Sequence, residues 1–295
     1  MNFRLPVALG RRSGILLLLL LLLPFSVNAQ PQRGLGGRRG GGNSFSGTGP
    51  NLSPLDQAHI AEMQKAISPA FPQDVFNFAR LIYPYDYRYG RMWDDDSPAA
   101  ELNLEWRLYQ ITSLKVHPGY TYINIVPSEL AKYPFIYMTG KVGMDFTNAQ
   151  ARDLRQYLLN GGFMMVEDFW GPAQWSYVYQ EIKKIFPDRE PVLLGLEHPI
   201  FHAVFDFKFF PQMPSAGYRN SGQSWDYTGD DENDHDPHYF AIYDDKNRMV
   251  MLICQNNHYG DGWEHEGDDN TYFERYSKAQ AYPMFINILF YVMTH

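Results

Sequence analysis

Residues 134–171 read Pro-Phe-Ile-Tyr-Met-Thr-Gly-Lys-Val-Gly-Met-Asp-Phe-Thr-Asn-Ala-Gln-Ala-Arg-Asp-Leu-Arg-Gln-Tyr-Leu-Leu-Asn-Gly-Gly-Phe-Met-Met-Val-Glu-Asp-Phe-Trp-Gly. Phe135–Met138 is a short apolar run between Pro134 and Gly140. Thr147 then opens a helix, with Gln150 three residues on, the spacing of a capping box. Ala151, Leu154, Tyr157 and Leu158 share one helical face, and Arg152, Arg155 and Gln156 lie opposite. Gly161 and Gly162 stop the helix. Phe163–Val166 forms a second buried strand that ends in Glu167 and Asp168. Strand, helix and strand within about forty residues make a βαβ unit, whose right-handed crossover sets the two strands parallel. Ligands of open parallel sheets sit beyond the carboxyl ends of the strands. Here those ends carry Thr139-Gly140 and Glu167-Asp168-Phe169-Trp170.

The flanking sequence extends this unit. Ser53–Ile67 reads as a helix with Pro54 in its first turn, in an N-terminal helical extension over residues 51–72. Val75–Tyr83 reads as a first strand running into Pro84-Tyr85-Asp86-Tyr87. Ser97-Pro98 begins a helix reaching Thr112, with Ser97 expected to cap it. Tyr120–Ile125 is a strand and Ser128–Lys132 a helical turn. Pro172–Phe186 is a helix, and Pro191–Leu196 and Val204–Phe210 are short strands. Tyr239–Tyr243 and Met249–Cys254 form a β-hairpin. Gln212–Pro237 and Tyr259–Asp269 read as polar loops, and a helix over Lys278–Met293 closes the chain. The expected fold is a three-layer, mostly parallel α/β sheet of flavodoxin-like type over residues 73–295, with helices on both faces and a late β-hairpin.

Residues 1–29 look like a secretory signal peptide. Arg4, Arg11 and Arg12 form a positive start, and Ile15–Leu23 is an apolar core too short to span a bilayer. Val27-Asn28-Ala29 offers a cleavage site, so the mature chain is expected outside the cytoplasm, periplasmic or extracellular, without a transmembrane helix. Residues 30–50, rich in Gly and Arg, are expected to be a disordered linker. The first fifty residues hold six Arg and no acid, so removing them takes the formal charge from −8 to −14. Such a body repels phosphate and argues against nucleic acid as a partner. It suits cations or neutral ligands. The single Cys254 excludes an intramolecular disulfide.

Several motifs occur together in order: Phe78-Ala79-Arg80-Leu81-Ile82-Tyr83, Tyr133–Gly140, Leu154–Phe163, Glu167-Asp168, His198-Pro199-Ile200-Phe201 and Asn287-Ile288-Leu289-Phe290-Tyr291. Over about residues 73–294 the chain resembles the uncharacterised bacterial family called domain of unknown function 4159. That family looks like a relative of the class I glutamine amidotransferase fold and of trehalose-utilisation-type proteins. The resemblance implies a fold and no established reaction. Amidotransferases place a cysteine on the turn after the strand following Arg-x-Tyr-x-x-x-Gly-Gly. The corresponding Val166–Gly171 holds neither cysteine nor serine. Cys254 falls inside a later strand, so the nucleophile–base pair of acyl transfer is missing and glutaminase activity is not expected.

Candidate sites remain at the strand ends and in the polar loops. Asp168 and His198 are the candidate catalytic residues, although Asp168 could instead cap the following helix and His198 could be a hydrogen-bonded turn residue. Asp86, Asp168, Trp170 and Asn257 are the candidate ligand-binding set. His258, Asp261, Glu264 and His265 could supply nitrogen and oxygen ligands to a divalent metal. Asp94, Asp95 and Asp96 could face the same crevice, but solvated charge before a helix is the simpler reading. The Asp230–His238 run lacks full Ca²⁺-loop spacing and reads as an acidic loop. Loop aromatics (Tyr85, Tyr87, Trp93, Trp170, Trp225, Trp263) either stack on sugars or form an outer core. The expected function is an exported, non-catalytic domain binding a small molecule or an envelope protein. The alternatives are a metal-assisted hydrolase acting on a carbohydrate-like ligand, and a cell-envelope scaffold.

Overall fold

A computed structural model describes residues 52–86, 92–140, 142–226 and 234–295. The stretches expected to be a signal peptide (1–29) and a linker (30–50), together with Tyr87 and Asp230–Asn233, lie outside these residues. In chain order the elements are α1 (Pro54–Ala66), β1 (Ala79–Ile82), α2 (Ala99–Ile111), β2 (Thr121–Asn124), α3 (Pro127–Leu130), β3 (Phe135–Thr139), α4 (Asn148–Leu159), β4 (Phe163–Glu167), α5 (Gly171–Ile185), β5 (Val192–Leu193), β6 (His238–Tyr243), β7 (Met249–Gln255), α6 (Tyr259–Glu264), α7 (Asn270–Tyr272) and α8 (Tyr282–Thr294). A π-helix over Phe273–Ala281 joins α7 to α8.

The central unit forms as its residues dictate. Thr147 and Gln150 make the reciprocal capping box that starts α4. β3 and β4 pair in parallel, with Phe135 opposite Phe163 and Thr139 opposite Glu167. All seven strands join one sheet in the order β2-β1-β3-β4-β7-β6-β5. Five are parallel, and β7 doubles as the fifth parallel strand and as one arm of the antiparallel hairpin with β6. The order reverses between β1 and β3, and that is where an open sheet leaves a crevice at its carboxyl edge.

Alternation along the strands divides the interior into two cores. Phe135, Tyr137, Phe163 and Met165 face the layer built from α2, α6 and α8. Ile136, Met138, Met164 and Val166 face α4 and α5. β3 and β4 are thus buried on both sides, which explains their nearly unbroken apolar sequences.

Three local expectations are corrected. Val204–Phe210 is not a strand. The Val204 and Phe205 N–H groups donate to Asn287 Oδ1 at 3.0 and 2.7 Å, so a side chain takes the place of a β-ladder. Ser97 does not cap α2. Pro98 occupies the cap position, and the Ser97 hydroxyl bonds to the Tyr122 hydroxyl. Tyr259–Asp269 is not a solvated loop, since its first six residues are α6, five of them buried. Among the described residues no helix is long and apolar enough to cross a membrane.

Candidate metal centre at the carboxyl edge of the sheet

Glu167 ends β4 and is fully buried. A buried carboxylate needs donors or a proton. Tyr137, one strand away on β3, donates its hydroxyl to Glu167 Oε1. The first backbone N–H groups of α6 complete the shell: Tyr259 donates to Oε2 at 2.8 Å and Gly260 to Oε1 at 3.3 Å. Burial nevertheless pushes the Glu167 carboxyl up to about 7, against the opposing pull of His258 and the Tyr137 bond. Glu167 therefore seats α6 across the end of the sheet.

His258 precedes α6 and is 5% exposed. Its Nε2 lies 3.1 Å from Asp96 Oδ2 and 3.2 Å from Asp168 Oδ2. On the other side of the ring, Nδ1 makes no hydrogen bond and faces Asp261 Oδ2 at 3.6 Å. The acids come from three places: the turn before α2, the turn after β4, and α6. Burial alone would lower the imidazolium pKa, but Asp168, Asp261 and Asp96 outweigh it and hold it well above the usual value. Asp261 goes the other way. Burial would raise its carboxyl, and His258 and His265 together keep it below the ordinary range.

The backbone is shaped to bring these groups together. Asp96 and Asp168 adopt left-handed conformations, with φ of 63° and 66°, as does Asn256 at 56°. Non-glycine residues rarely adopt such angles, and Asp and Asn tolerate them best. Arg80 on β1 reaches under the Asp94–Asp96 turn and donates to the carbonyls of Trp93 (3.2 Å) and Asp95 (2.9 Å). Gly260 permits the close approach, because a Cβ there would stand 2.0 Å from Asp96 Oδ2. Ala216 N–H donates to Asp261 Oδ2 at 2.6 Å and fixes that carboxylate.

Of the candidate metal ligands, His258 and Asp261 sit in this centre. Glu264 and His265 adjoin it, with His265 Nε2 at 3.3 Å from Glu264 Oε2 and 3.6 Å from Asp261 Oδ1. Asp168 belongs to it as well, and it does not cap α5, whose cap position is Trp170 without a side-chain bond. Asn257 is buried one residue away and holds loops: Met213 N–H donates to its Oδ1, and its amide donates to the Pro211 carbonyl and the Tyr239 hydroxyl. Trp170, Trp93 and Trp263 are buried and serve the outer core; Tyr85 and Trp225 are half-buried. Asp86 lies half-buried on the exit of β1, its N–H donating to the Gly143 carbonyl at 2.7 Å. His198 lies elsewhere. Its Nδ1 accepts the Ile200 N–H at 3.2 Å at the start of a 3-10 turn, and its Nε2 bonds to the Tyr243 hydroxyl. Cys254 is fully buried within β7, and burial raises its thiol well above the ordinary range, as expected for a packing residue.

The residue that sequence reading undervalued is Asp96. Its signal was present in Trp93-Asp94-Asp95-Asp96 ahead of α2 and in the glycines of Tyr259-Gly260-Asp261-Gly262-Trp263, but nothing local joins the two stretches. A separate cleft of about 440 Å³, lined by Leu130, Tyr133, Tyr157 and Gly161 among others, opens at the opposite, amino ends of β3 and β4. It contains none of the centre's residues.

Fold and site together define an open α/β protein with a carboxylate–histidine centre at the carboxyl ends of its parallel strands. Residues 77–293 match the family model described as Domain of unknown function (DUF4159), and the chain belongs to that family. No curated protein matches the chain.

Proposed function

We propose that this chain is an exported ligand-binding α/β domain, flavodoxin-like in its strand order, whose site is a divalent-cation centre at Asp96, His258 and Asp261. The observation that carries the reading is the buried Nδ1 of His258. It has no hydrogen bond and faces a carboxylate 3.6 Å away, while acids crowd the opposite edge of the ring. Ligand atoms about 2.1 Å from one ion stand about 3.0–3.4 Å apart, close to this separation. The candidate ligand atoms of Asp96, His258 and Asp261 all lie within 4.8 Å of one another. An ion there would neutralise carboxylates that burial otherwise penalises. Mixed imidazole and carboxylate donors suit Mn²⁺ or Zn²⁺.

The centre supports binding more than chemistry, since Asp168 is 1% exposed and Asp96 8%. Metal-assisted hydrolysis of a neutral, carbohydrate-like ligand is the second reading. It is favoured by Glu264 and His265, whose side chains at 32% and 30% exposure open the outer flank to solvent.

The test is metal analysis of the purified protein after chelation and reloading with Mn²⁺ or Zn²⁺. At least one bound equivalent, lost in His258→Ala, is expected, together with a rise of several degrees in Tm. No bound ion with either metal would end the metal-centre reading.

A further inference from the structure

Asp261 presents its two oxygens to two different histidines. Oδ2 faces His258 Nδ1 at 3.6 Å and Oδ1 faces His265 Nε2 at 3.6 Å. Both separations exceed a hydrogen bond. Each histidine is backed by carboxylate on its remote nitrogen: His258 Nε2 by Asp96 and Asp168 at 3.1 and 3.2 Å, His265 Nδ1 by Asp268 at 2.8 Å. A carboxylate accepting the remote ring N–H fixes the tautomer that turns a lone pair toward a metal, as it does at many metal-ligating histidines. The two rings therefore direct lone pairs at the two edges of one shared carboxylate. Glu264 adds an oxygen on the outer side, 3.3 Å from His265 Nε2.

Taking the cation centre above as its basis, we infer that the site holds two divalent ions bridged by Asp261. The inner ion takes His258 Nδ1 and Asp261, with Asp96 holding the ring from Nε2; the outer ion takes Asp261, Glu264 and His265. The two groups of ligating side chains share only Asp261. Charge supports this arrangement. Asp96, Asp168, Asp261 and Glu264 all lie within 3.6 Å of the two imidazoles. A second dication balances more of that negative charge than a single ion can. Pairs of ions bridged in this way clamp the attacking and leaving oxygens in hydrolytic displacement. With the outer ion on the solvent-facing flank, a ligand would meet that ion first.

The experiment is a Mn²⁺ titration of the purified protein, read by bound equivalents and by electron paramagnetic resonance. Two equivalents with an exchange-coupled spectrum are expected. His265→Ala should bind one equivalent with an uncoupled spectrum, and Asp268→Asn should weaken one of the two ions by roughly 10–100-fold. One equivalent in the unmodified protein, unaffected by His265→Ala, would overturn the bridged pair and leave the single-ion centre standing. No bound Mn²⁺ would overturn both. Circular dichroism of His265→Ala, whose ring is partly exposed, separates loss of a ligand from loss of fold.

Discussion

Arg80 and Glu101 form an ion pair in which neither side chain has any solvent exposure. The guanidinium lies over the Tyr137 ring at 4.8 Å and also carries the turn that presents Asp96. A buried pair adds little net stability while whole, but losing one member strands the other charge. Glu101→Ala should therefore destabilise the protein by about 3–5 kcal/mol in urea unfolding. Arg80→Met combined with Glu101→Leu should recover most of that loss while still disordering the Asp96 turn. A cost below about 1 kcal/mol for Glu101→Ala would show that water reaches Arg80.

Gly260→Ala should damage the centre specifically. The added Cβ meets Asp96 Oδ2 at 2.0 Å, and α6 is tied to Glu167, so Asp96 must move away. The expected result is a loss of divalent-ion affinity of at least about tenfold, or about 1.4 kcal/mol. Gly217→Ala is the control, since its Cβ meets only the Ser215 hydroxyl at an ordinary 3.6 Å. Equal ion affinity in the two variants would remove Asp96 from the site.

His198 should behave as a structural residue. Burial lowers its pKa from 6.5, with Glu197 opposing and His295 reinforcing the shift. The folded state thus prefers the neutral ring, and the unfolded chain takes up the proton first. This contribution to stability is complete above pH 6.5 and is lost as pH falls from there through the folded value. His198→Asn, which can still accept the Ile200 N–H, should flatten the pH dependence of the urea midpoint in that window and leave ion binding unchanged. An unchanged slope would show that His198 takes up its proton freely in the folded state.

Glu105 should act in the opposite sense. It is fully buried, and burial raises its carboxyl well above 4.5 despite the Gly119 N–H at 3.1 Å. The folded state holds the proton, so stability is full below pH 4.5 and declines as pH rises through the folded value. Glu105→Gln, whose amide oxygen can keep the Gly119 bond, should be the more stable form at pH 8, by about 1 kcal/mol or more. The advantage should vanish near pH 4. Parallel denaturation curves at both pH values would contradict it.

The βαβ unit was legible because its signals are local. A capping box, a helical stripe and a glycine pair lie within one stretch, and β3, α4 and β4 formed where they indicated. The centre was legible only in pieces. His258, Asp261, Glu264 and His265 stood out by residue type, but α6 reads as a loop because two of its six residues are glycine and two are acidic. What folds it is Glu167, about ninety residues earlier, accepting its first N–H groups. Asp96 joined the site through a similar long reach, by way of Arg80. Val204–Phe210 had the composition of a strand, and only the distant Asn287 decided otherwise.

The left-handed backbone at Asp168 has a thermodynamic corollary. Glycine adopts that conformation without steric penalty, so Asp168→Gly relieves a strain of about 1 kcal/mol at the residue that closes β4. It also takes one acid out of a crowded buried cluster. If the metal-free protein becomes harder to unfold while ion affinity falls, this position exchanges stability for affinity: the apo protein holds in reserve the free energy that a bound cation releases.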